Sequence, residues 1–250
     1  MIIEYHRPST ISECLGLLSR KEPKTVPLAG GAYVSRHQHQ DEDLALVDLQ
    51  DLGLDKIFLS DTSAQIGATV LLSNLEENPK LSHLFHEVIR QESNHNQRHR
   101  ASIAGTLVCA DGHSSLACAF MALNAQLKWQ PDNQIIPLED YYARRGRGSD
   151  EVGLLISDIL IPEMGELYYE DVGRSPRDRP LICVAVARWA DGRKRICFGG
   201  DFQSPVIIPN TFDRDEVENT IENAYSHYSN PRNYYINTTL TIINRLNSNS

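Results

Sequence analysis

The sequence lacks a hydrophobic run long enough to cross a lipid bilayer, which needs about 20 consecutive apolar residues. Its most apolar stretch, Leu116 to Leu123, is far shorter, and Asp111 lies just ahead of it. The segment from Met1 to Pro8 also lacks a basic region followed by an apolar stretch, so it does not resemble a secretory signal. We therefore expect a cytoplasmic protein without membrane insertion.

Positive charge is scarce as well. The chain has 24 Lys and Arg against 33 Asp and Glu, which gives a formal net charge of -9. Nucleic acids and anionic membrane surfaces usually bind a basic face of a protein. The charge balance therefore argues against nucleic acid as a partner.

Cysteines are few and widely spaced, and no two form a Cys-x-x-Cys pair: Cys14, Cys109, Cys118, Cys183 and Cys197. An odd number without close pairs is typical of buried thiols in a reducing compartment rather than of a disulfide framework. The spacing also differs from that of iron–sulfur ligands. Any iron–sulfur cluster that the function requires is therefore expected on another chain.

The spacing of the histidines gives only weak evidence for a metal site. His95 and His99 have i,i+4 spacing, and His83 and His86 have i,i+3 spacing, but no third ligand or general base stands beside them. A metal site on one helix normally recruits further ligands. We predict no metal site on this chain.

The remaining pattern predicts short strands and helices in a chain of 250 residues with 41% hydrophobic content. Thr10 and Glu13 form a capping-box pattern at a helix start, and Ala190–Gly192 is a hairpin signal. The other expected elements are strands at 2–5, 25–29, 44–49, 56–60, 63–70, 126–130, 153–162, 181–189 and 193–198, a short helix capped at Ser73, helices at 78–93 and 114–124, a polar loop at 94–100 and a helical tail at 214–246.

Two short glycine-bearing segments are the most informative feature of the sequence. They are Leu28-Ala29-Gly30-Gly31-Ala32-Tyr33 and Ala101-Ser102-Ile103-Ala104-Gly105-Thr106-Leu107. A diphosphate needs several backbone N–H groups that converge without Cβ atoms in the way, and glycine beside a strand end or helix start provides that approach. Either segment alone indicates only a nucleotide.

Together with their neighbours, these segments resemble the FAD-binding (medium) subunits and domains of the molybdenum hydroxylases, the carbon monoxide dehydrogenase and xanthine dehydrogenase flavoprotein family. Leu28–Gly31 is similar to the first family motif, and Ala101–Leu127 to the second. Gln65–Thr69 and Leu155–Pro162 are similar to further landmarks. The resemblance covers nearly the whole chain.

The resemblance implies an α+β fold. Two FAD-binding subdomains of the vanillyl-alcohol-oxidase/molybdenum-hydroxylase type, residues 1–55 and 56–165, would precede a shortened C-terminal domain of a strand pair plus helices, residues 166–250. It also implies which residues bind the cofactor: Leu28, Ala29, Gly30, Gly31, Ala32, Tyr33, Ser102, Ile103, Ala104, Gly105, Thr106 and Asp111. Backbone N–H groups of both segments would hold the FAD diphosphate, with hydroxyls from Ser102 and Thr106 and with Asp111 close by.

Three positions depart from the family pattern. Ala104 replaces a glycine, Thr106 an asparagine and Ser115 an aspartate. The alanine methyl is compatible with an ordinary backbone conformation, whereas a positive φ would make it clash. Tyr33 stands where the family has a smaller polar residue, and it either covers the phosphate site or lies on the surface.

As the resemblance implies, the chain passes electrons from iron–sulfur clusters through FAD to a terminal acceptor. The molybdenum cofactor would lie on a large partner subunit and the 2Fe–2S clusters on a small one, while NAD, a quinone and oxygen all remain open as acceptors. No residue of this chain is predicted to be catalytic in acid–base chemistry. Two alternatives stay open: a flavin-free scaffold or assembly protein, and a self-contained flavoenzyme that uses oxygen, for which the chain is short.

Overall fold

The computed structural model describes residues 1–32, 43–145, 153–175, 178–209, 213–227 and 232–248. The chain forms two compact units. The first contains Met1–Pro79, Asn94–Cys109 and Ala125–Pro162, and the second contains Lys80–Ser93, Ala110–Asn124 and Glu163–Ser250. The sequence division into 1–55, 56–165 and 166–250 stays a prediction.

Helices and strands are mixed along the chain, in keeping with the predicted α+β class. Up to residue 145 they are β1 (Ile2–His6), α1 (Ile11–Leu18), β2 (Lys24–Leu28), β3 (Leu44–Asp48), β4 (Ile57–Leu59), β5 (Ala64–Gly67), α2 (Leu72–Glu77), α3 (Ser82–Glu92), α4 (His95–Arg98), α5 (Ile103–Val108), α6 (Ser115–Ala122), β6 (Gln126–Gln130), β7 (Gln134–Pro137) and α7 (Leu138–Arg144). They continue with β8 (Leu155–Ile161), β9 (Glu166–Val172), β10 (Ile182–Arg188), β11 (Lys194–Gly199), β12 (Val206–Ile208), α8 (Arg214–Ala224) and α9 (Arg232–Ser248).

The first unit contains two sheets. One is parallel with strand order β1-β3-β2, and the other has the order β4-β5-β8-β6-β7 with antiparallel pairing. The central strand β3 is buried along its whole length, as expected for a parallel strand covered on both faces. Cys14 and Leu18 of α1 pack against Val47 and Leu49. Strand β2 pairs in parallel with β3, and its end leads into the first glycine segment.

The second unit is built on an antiparallel sheet with the order β12-β11-β10-β9. Large and small side chains alternate along β10. Successive residues of a strand face opposite sides of the sheet, so the large ones share one face. Ile182, Val184 and Val186 join the core cluster with residues of α8 and α9. The small residues between them are also buried, and the Cys118 thiol of α6 donates to the Cys197 carbonyl at 3.3 Å.

Several sequence predictions are confirmed. Thr10 is the N-cap of α1, and its hydroxyl accepts the Glu13 N–H at 3.2 Å. Strand β6 has the predicted bounds. Gly192, with φ of 88°, lies in the turn between β10 and β11, as the hairpin signal predicts.

Other predictions were wrong in detail. Ser73 lies inside α2 instead of capping it: the helix begins at Leu72 and Leu71 is in the cap position. The Leu72 N–H bonds the Ala101 carbonyl at 3.0 Å. Helix α3 begins only at Ser82, since Asn78 precedes a proline and is extended. The predicted polar loop at 94–100 contains α4, which begins with a capping box between Asn94 and Gln97.

The C-terminal tail is two helices in the described residues, α8 and α9, and a 3-10 turn at Tyr225–His227 follows α8. The sequence reading also missed β7, α7 and β9. Strand β9 is half-exposed along most of its length, so its sequence lacks the apolar alternation that marks a buried strand.

Candidate cofactor site

A cavity of about 840 Å³ lies within the first unit, and both glycine segments contribute to its wall. Ala29, Gly30, Gly31 and Ala32 come from the first segment, and Ser102, Ala104 and Gly105 from the second. Pockets that hold small molecules and cofactors typically measure roughly 300–1,000 Å³. The fold therefore brings together the two segments that the sequence singled out.

The first segment requires glycine at two consecutive positions for different reasons. A Cβ at Gly30 would lie 1.4 Å from the Arg100 carbonyl oxygen, so the two backbones are in close contact there. Gly31 has a φ of 73°, a backbone angle that residues other than glycine rarely adopt. Leu28 is half-buried and does not contribute to the cavity wall. The predicted binding residue Tyr33 lies outside the described residues.

The second segment forms the start of α5, and the protein itself uses its backbone N–H groups. Ser102 is the N-cap, and its hydroxyl accepts the Gly105 N–H at 3.2 Å. The Ile103 N–H bonds the Val70 carbonyl at 2.8 Å, and the Ala104 N–H bonds the Ala68 carbonyl at 3.2 Å. These bonds satisfy the donors that a helix start otherwise leaves open.

Two predicted site residues of the second segment do not reach the wall. Ile103 and Thr106 are fully buried. The Thr106 N–H bonds the Ser102 carbonyl at 2.9 Å, and the Thr106 hydroxyl donates to the same oxygen at 2.8 Å. The N–H groups of residues 103–106 and the Thr106 hydroxyl thus have partners within the protein, and their predicted contact with a diphosphate stays a prediction.

The three departures from the family pattern fit their local surroundings. Ala104 is helical rather than in the positive-φ region, so its methyl group needs no backbone adjustment. Thr106 bonds its own helix, as described above. Ser115 belongs to the second unit, where its hydroxyl accepts a 2.7 Å hydrogen bond from Tyr169. All three residues therefore have structural partners or compatible backbones.

Asp111 belongs to the second unit and is bound by a neighbouring arginine. Its carboxylate accepts two hydrogen bonds from Arg179, at 2.9 and 2.5 Å, and one from the His113 N–H at 3.0 Å. Burial alone would raise the pKa of Asp111, but the hydrogen bonds and charge of Arg179 outweigh it and hold the pKa below its usual value. Its predicted place beside the cofactor stays a prediction.

Positive side chains line part of the cavity, and sequence reasoning missed them. Arg20, Lys21 and Lys24 contribute to the wall, and no acidic side chain does so among the described residues. Arg20 donates to both carboxylate oxygens of Glu4, at 2.7 and 3.1 Å. Hydrogen bonds from Arg20 and His6 lower the pKa of Glu4 to about 2. Arg20 and Lys21 precede β2 and Lys24 is its first residue, but nothing in the sequence marks the three as residues that face a cavity.

The rest of the wall is mainly apolar. It includes Val108, Trp129, Leu155 and Ile156, and also Cys109, which is exposed. Although the residue is exposed, its thiol is partly shielded from water, which raises the pKa of Cys109, and the nearby charge of Arg145 only partly opposes this. A polar, cationic part and an apolar part together suit a ligand with a phosphate and a ring system.

No group of three or more His, Cys, Asp or Glu side chains in the described residues is arranged to hold a metal ion. None of the helices in the described part of the chain is both long enough and apolar enough to cross a membrane.

Known proteins of similar structure include chains of CO dehydrogenases and of quinoline 2-oxidoreductase. Cu,Mo-CO dehydrogenase matches with a TM-score of 0.80 at 22% identity, covering 98% of this chain and 96% of that chain. CO dehydrogenase from Hydrogenophaga pseudoflava matches at 0.81 and 18%, with the same coverage. Quinoline 2-oxidoreductase from Pseudomonas putida 86 matches at 0.79 and 18%, covering 98% and 95%. The predicted fold is thereby confirmed.

Sequence comparison leads to the same family. The uncharacterized protein YgfM of Escherichia coli (strain K12) is 22% identical over 228 residues, which cover 91% of this chain and 85% of that protein. The family model for the FAD binding domain in molybdopterin dehydrogenase matches residues 1–164, more than half of the chain. This chain belongs to the family of FAD-binding domains of molybdopterin dehydrogenases.

Proposed function

We propose that this chain is the FAD-binding, electron-transfer subunit of a molybdenum hydroxylase complex. The observation that carries the proposal is the meeting of both glycine segments at one cavity. Either segment alone would indicate only a nucleotide, whereas two segments at one wall give a place for a dinucleotide.

The residues present fit FAD. The backbone of Gly30, Gly31 and Ala32 would approach the diphosphate, and the Ser102 hydroxyl, which accepts from Gly105, still has its own proton to donate. The cations at positions 20, 21 and 24 supply positive charge in the wall, which favours an anionic group. When bound, FAD supplies the redox chemistry by accepting electrons singly or in pairs. The chain's own residues bind it, orient it and shield its buried part from water.

The proposed complex includes a large subunit with the molybdenum cofactor and a small subunit with 2Fe–2S clusters. The five cysteines are all free, and four of them are buried, so they suit a chain that leaves cluster ligation to a partner. Free thiols also fit the reducing cytoplasm, where we place the protein. The terminal acceptor, whether NAD, a quinone or oxygen, would be met by the flavin rather than by this chain's side chains.

A second candidate function is a flavin-free scaffold or assembly protein. One observation favours it: the N–H groups of residues 103–106 already bond other atoms of the protein, so the second segment has fewer donors to offer a phosphate. In that case the cavity would stay without flavin even when the partner subunits are present.

Titration of the purified chain with FAD separates these candidates. The main proposal predicts saturable binding of one FAD per chain, measured by the visible flavin absorbance and by a rise in melting temperature, as ligand binding to the native state requires. Free riboflavin, which lacks phosphate, serves as the ligand control and should bind far more weakly. A chain that co-purifies with molybdenum and iron–sulfur subunits yet takes up no FAD would contradict the flavin assignment and support the scaffold.

A further inference from the structure

Arg100 lies against the first glycine segment and also leads into the second. It stands two residues before Ser102, the N-cap of α5. A Cβ at Gly30 would lie 1.4 Å from the Arg100 carbonyl oxygen, and a Cβ at Gly31 would lie 4.0 Å from Arg100 Nη2. The backbone of Arg100 therefore touches Gly30, while the end of its side chain lies beside Gly31.

Hydrogen bonds on both sides hold the backbone of Arg100 in this place. The N–H groups of Arg100 and Ala101 both donate to the Gln97 carbonyl, at 2.9 and 2.7 Å. The Ala101 carbonyl in turn accepts the Leu72 N–H at 3.0 Å. The approach of the Arg100 side chain to the first glycine segment is thus a consequence of the fold of the first unit.

The guanidinium of Arg100 has no partner in the described part of the chain. The residue is exposed, and its side chain makes no hydrogen bond or ion pair with a described residue. Arg7 of the same unit shows the usual arrangement, since its Nε and Nη2 both bond the Asp51 carboxylate at 2.7 Å. A guanidinium carries five N–H donors and a permanent positive charge. Arg100 therefore keeps its donors available beside Gly31, which lines the cavity.

The second glycine segment has few donors left for an anion, because the N–H groups of residues 103–106 already bond atoms of the protein. A diphosphate carries negative charge and several acceptor oxygens, so a tight site needs donors from elsewhere. Arginine suits this purpose, since its planar fork can bond two phosphate oxygens at once. Arg100 has the chemistry and the position to supply what the second segment does not.

We propose that Arg100 binds the diphosphate of FAD, its guanidinium donating hydrogen bonds to the phosphate oxygens from beside Gly31. This inference rests on the proposed function, because it adds a residue to the same site. Arg100 is not part of the cavity wall, so the contact is made by its exposed side chain reaching the ligand. It would make Arg100 a binding residue that favours ligands with a diphosphate.

The first test compares Arg100→Met with Arg144→Met, using FAD and ADP as separate ligands. Arg144 is an exposed residue at the end of α7 in the same unit, it does not line the cavity, and each variant loses one positive charge. For Arg100→Met, the Kd of both ligands should rise about tenfold, as expected for one hydrogen bond between charged groups. Arg100→Lys, which keeps the charge and loses the fork, should recover part of the affinity. Arg144→Met should bind both ligands like the wild type.

The salt dependence of ADP binding distinguishes a charge contact from a purely structural role. Salt screens attraction between exposed charges. The affinity of the wild type for ADP should therefore fall as the salt concentration rises, and it should fall less steeply in Arg100→Met. A loss of affinity that came only from a disturbed loop would leave the slope unchanged. The slope of Arg144→Met should equal that of the wild type.

Chemical labelling of the wild type gives a readout that does not depend on any variant folding well. Phenylglyoxal modifies exposed arginine side chains, and mass spectrometry of peptides measures the rate at each position. Saturating ADP should slow the modification of Arg100 and leave the rate at Arg144 unchanged. Adenosine, which lacks phosphate, should leave both rates unchanged.

The outcomes separate this inference from the proposed function. If the wild type binds FAD and ADP but Arg100→Met binds them equally well, the Arg100 inference is overturned while the proposed function stands. Modification of Arg100 that ignores saturating ADP, or a salt slope that Arg100→Met leaves unchanged, would overturn it in the same way. If the wild type binds neither FAD nor ADP, the inference and the proposed function both fail.

Discussion

The two glycine segments line the same cavity but use their backbones differently. In the first, Gly30 lies directly against the Arg100 backbone and Gly31 takes a positive φ, so glycine is required by geometry. In the second, the N–H groups of residues 103–106 are bonded within the protein, and Gly105 lies in a helix. We infer that the backbone of the first segment approaches the diphosphate, whereas the second segment mainly forms part of the cavity wall. Similar glycine motifs can thus have different physical roles.

The sharpest test of this contrast is Gly30→Ala against Gly105→Ala. A Cβ at position 30 would lie 1.4 Å from backbone, so the loop must move, and we expect a loss of about 3 kcal/mol in the free energy of unfolding together with loss of FAD binding. At position 105 a Cβ would lie 2.9 Å from the Ser102 hydroxyl, which must shift, but no backbone atom is in the way and alanine favours the helix, so the loss should be smaller, about 1 kcal/mol. Urea unfolding and FAD titration measure both. Equal losses in the two variants would contradict the contrast.

Removing the Ser102 hydroxyl tests the one side-chain donor that the second segment retains. Ser102→Ala loses the cap of α5, worth about 1 kcal/mol, and should also weaken FAD binding. Ser114→Ala is the matched control, because Ser114 caps α6 by accepting the Ala117 N–H at 3.1 Å, and it does not line the cavity. It should destabilise the protein and leave the Kd of FAD unchanged. A Ser102→Ala variant with wild-type affinity would show that the second segment is wall alone.

Ala104→Gly restores the family residue at the altered position. The variant should lose about 0.5–1 kcal/mol of stability, because glycine is unfavourable in a helix. The Kd of FAD should not improve, since the Ala104 N–H already bonds the Ala68 carbonyl. Calorimetric titration of wild type and variant measures this. A markedly tighter complex would mean that this segment changes its hydrogen bonds when FAD binds. The backbones of both segments would then bind the diphosphate.

The smallest effect concerns Cys109, the exposed cysteine of the cavity wall. Its pKa is raised by burial, so the reactive thiolate is a minor form at neutral pH, and labelling by a thiol reagent should accelerate as pH rises through and beyond the usual thiol range. Bound FAD should slow the labelling by covering the wall. Mass spectrometry of wild type and Cys109→Ser gives the rate and its background. Labelling that is indifferent to saturating FAD would separate Cys109 from the occupied part of the cavity.

Strong local patterns were readable in the sequence. The strand predicted at Gln126–Gln130 is β6 with the observed bounds, and the capping box predicted the start of α1. The edge strand β9 was missed because a half-exposed strand has no apolar face to alternate with. Helix α4 was missed since it is short and polar, and its evidence is a cap rather than a periodic core.

The site shows the same division between local and long-range information. Glycine pairs can be recognised in the sequence as candidate site residues, because few other residues tolerate a positive φ or a close backbone contact. Trp129 and the cations Arg20, Lys21 and Lys24 carry no such mark. They become site residues only because the sheets of the first unit place them around one space.

The sequence by itself determined the family, the α+β class and the two segments at which a dinucleotide would be sought. Helix caps, turns and glycine motifs involve residues that are close in the sequence, so they can be recognised without knowledge of the fold. Only the tertiary structure decided that both segments share a cavity, that residues 103–106 use their N–H groups internally, and that Asp111 is held by Arg179. Each of these depends on which distant donors and acceptors the packed chain brings within hydrogen-bond distance, and local sequence does not fix that.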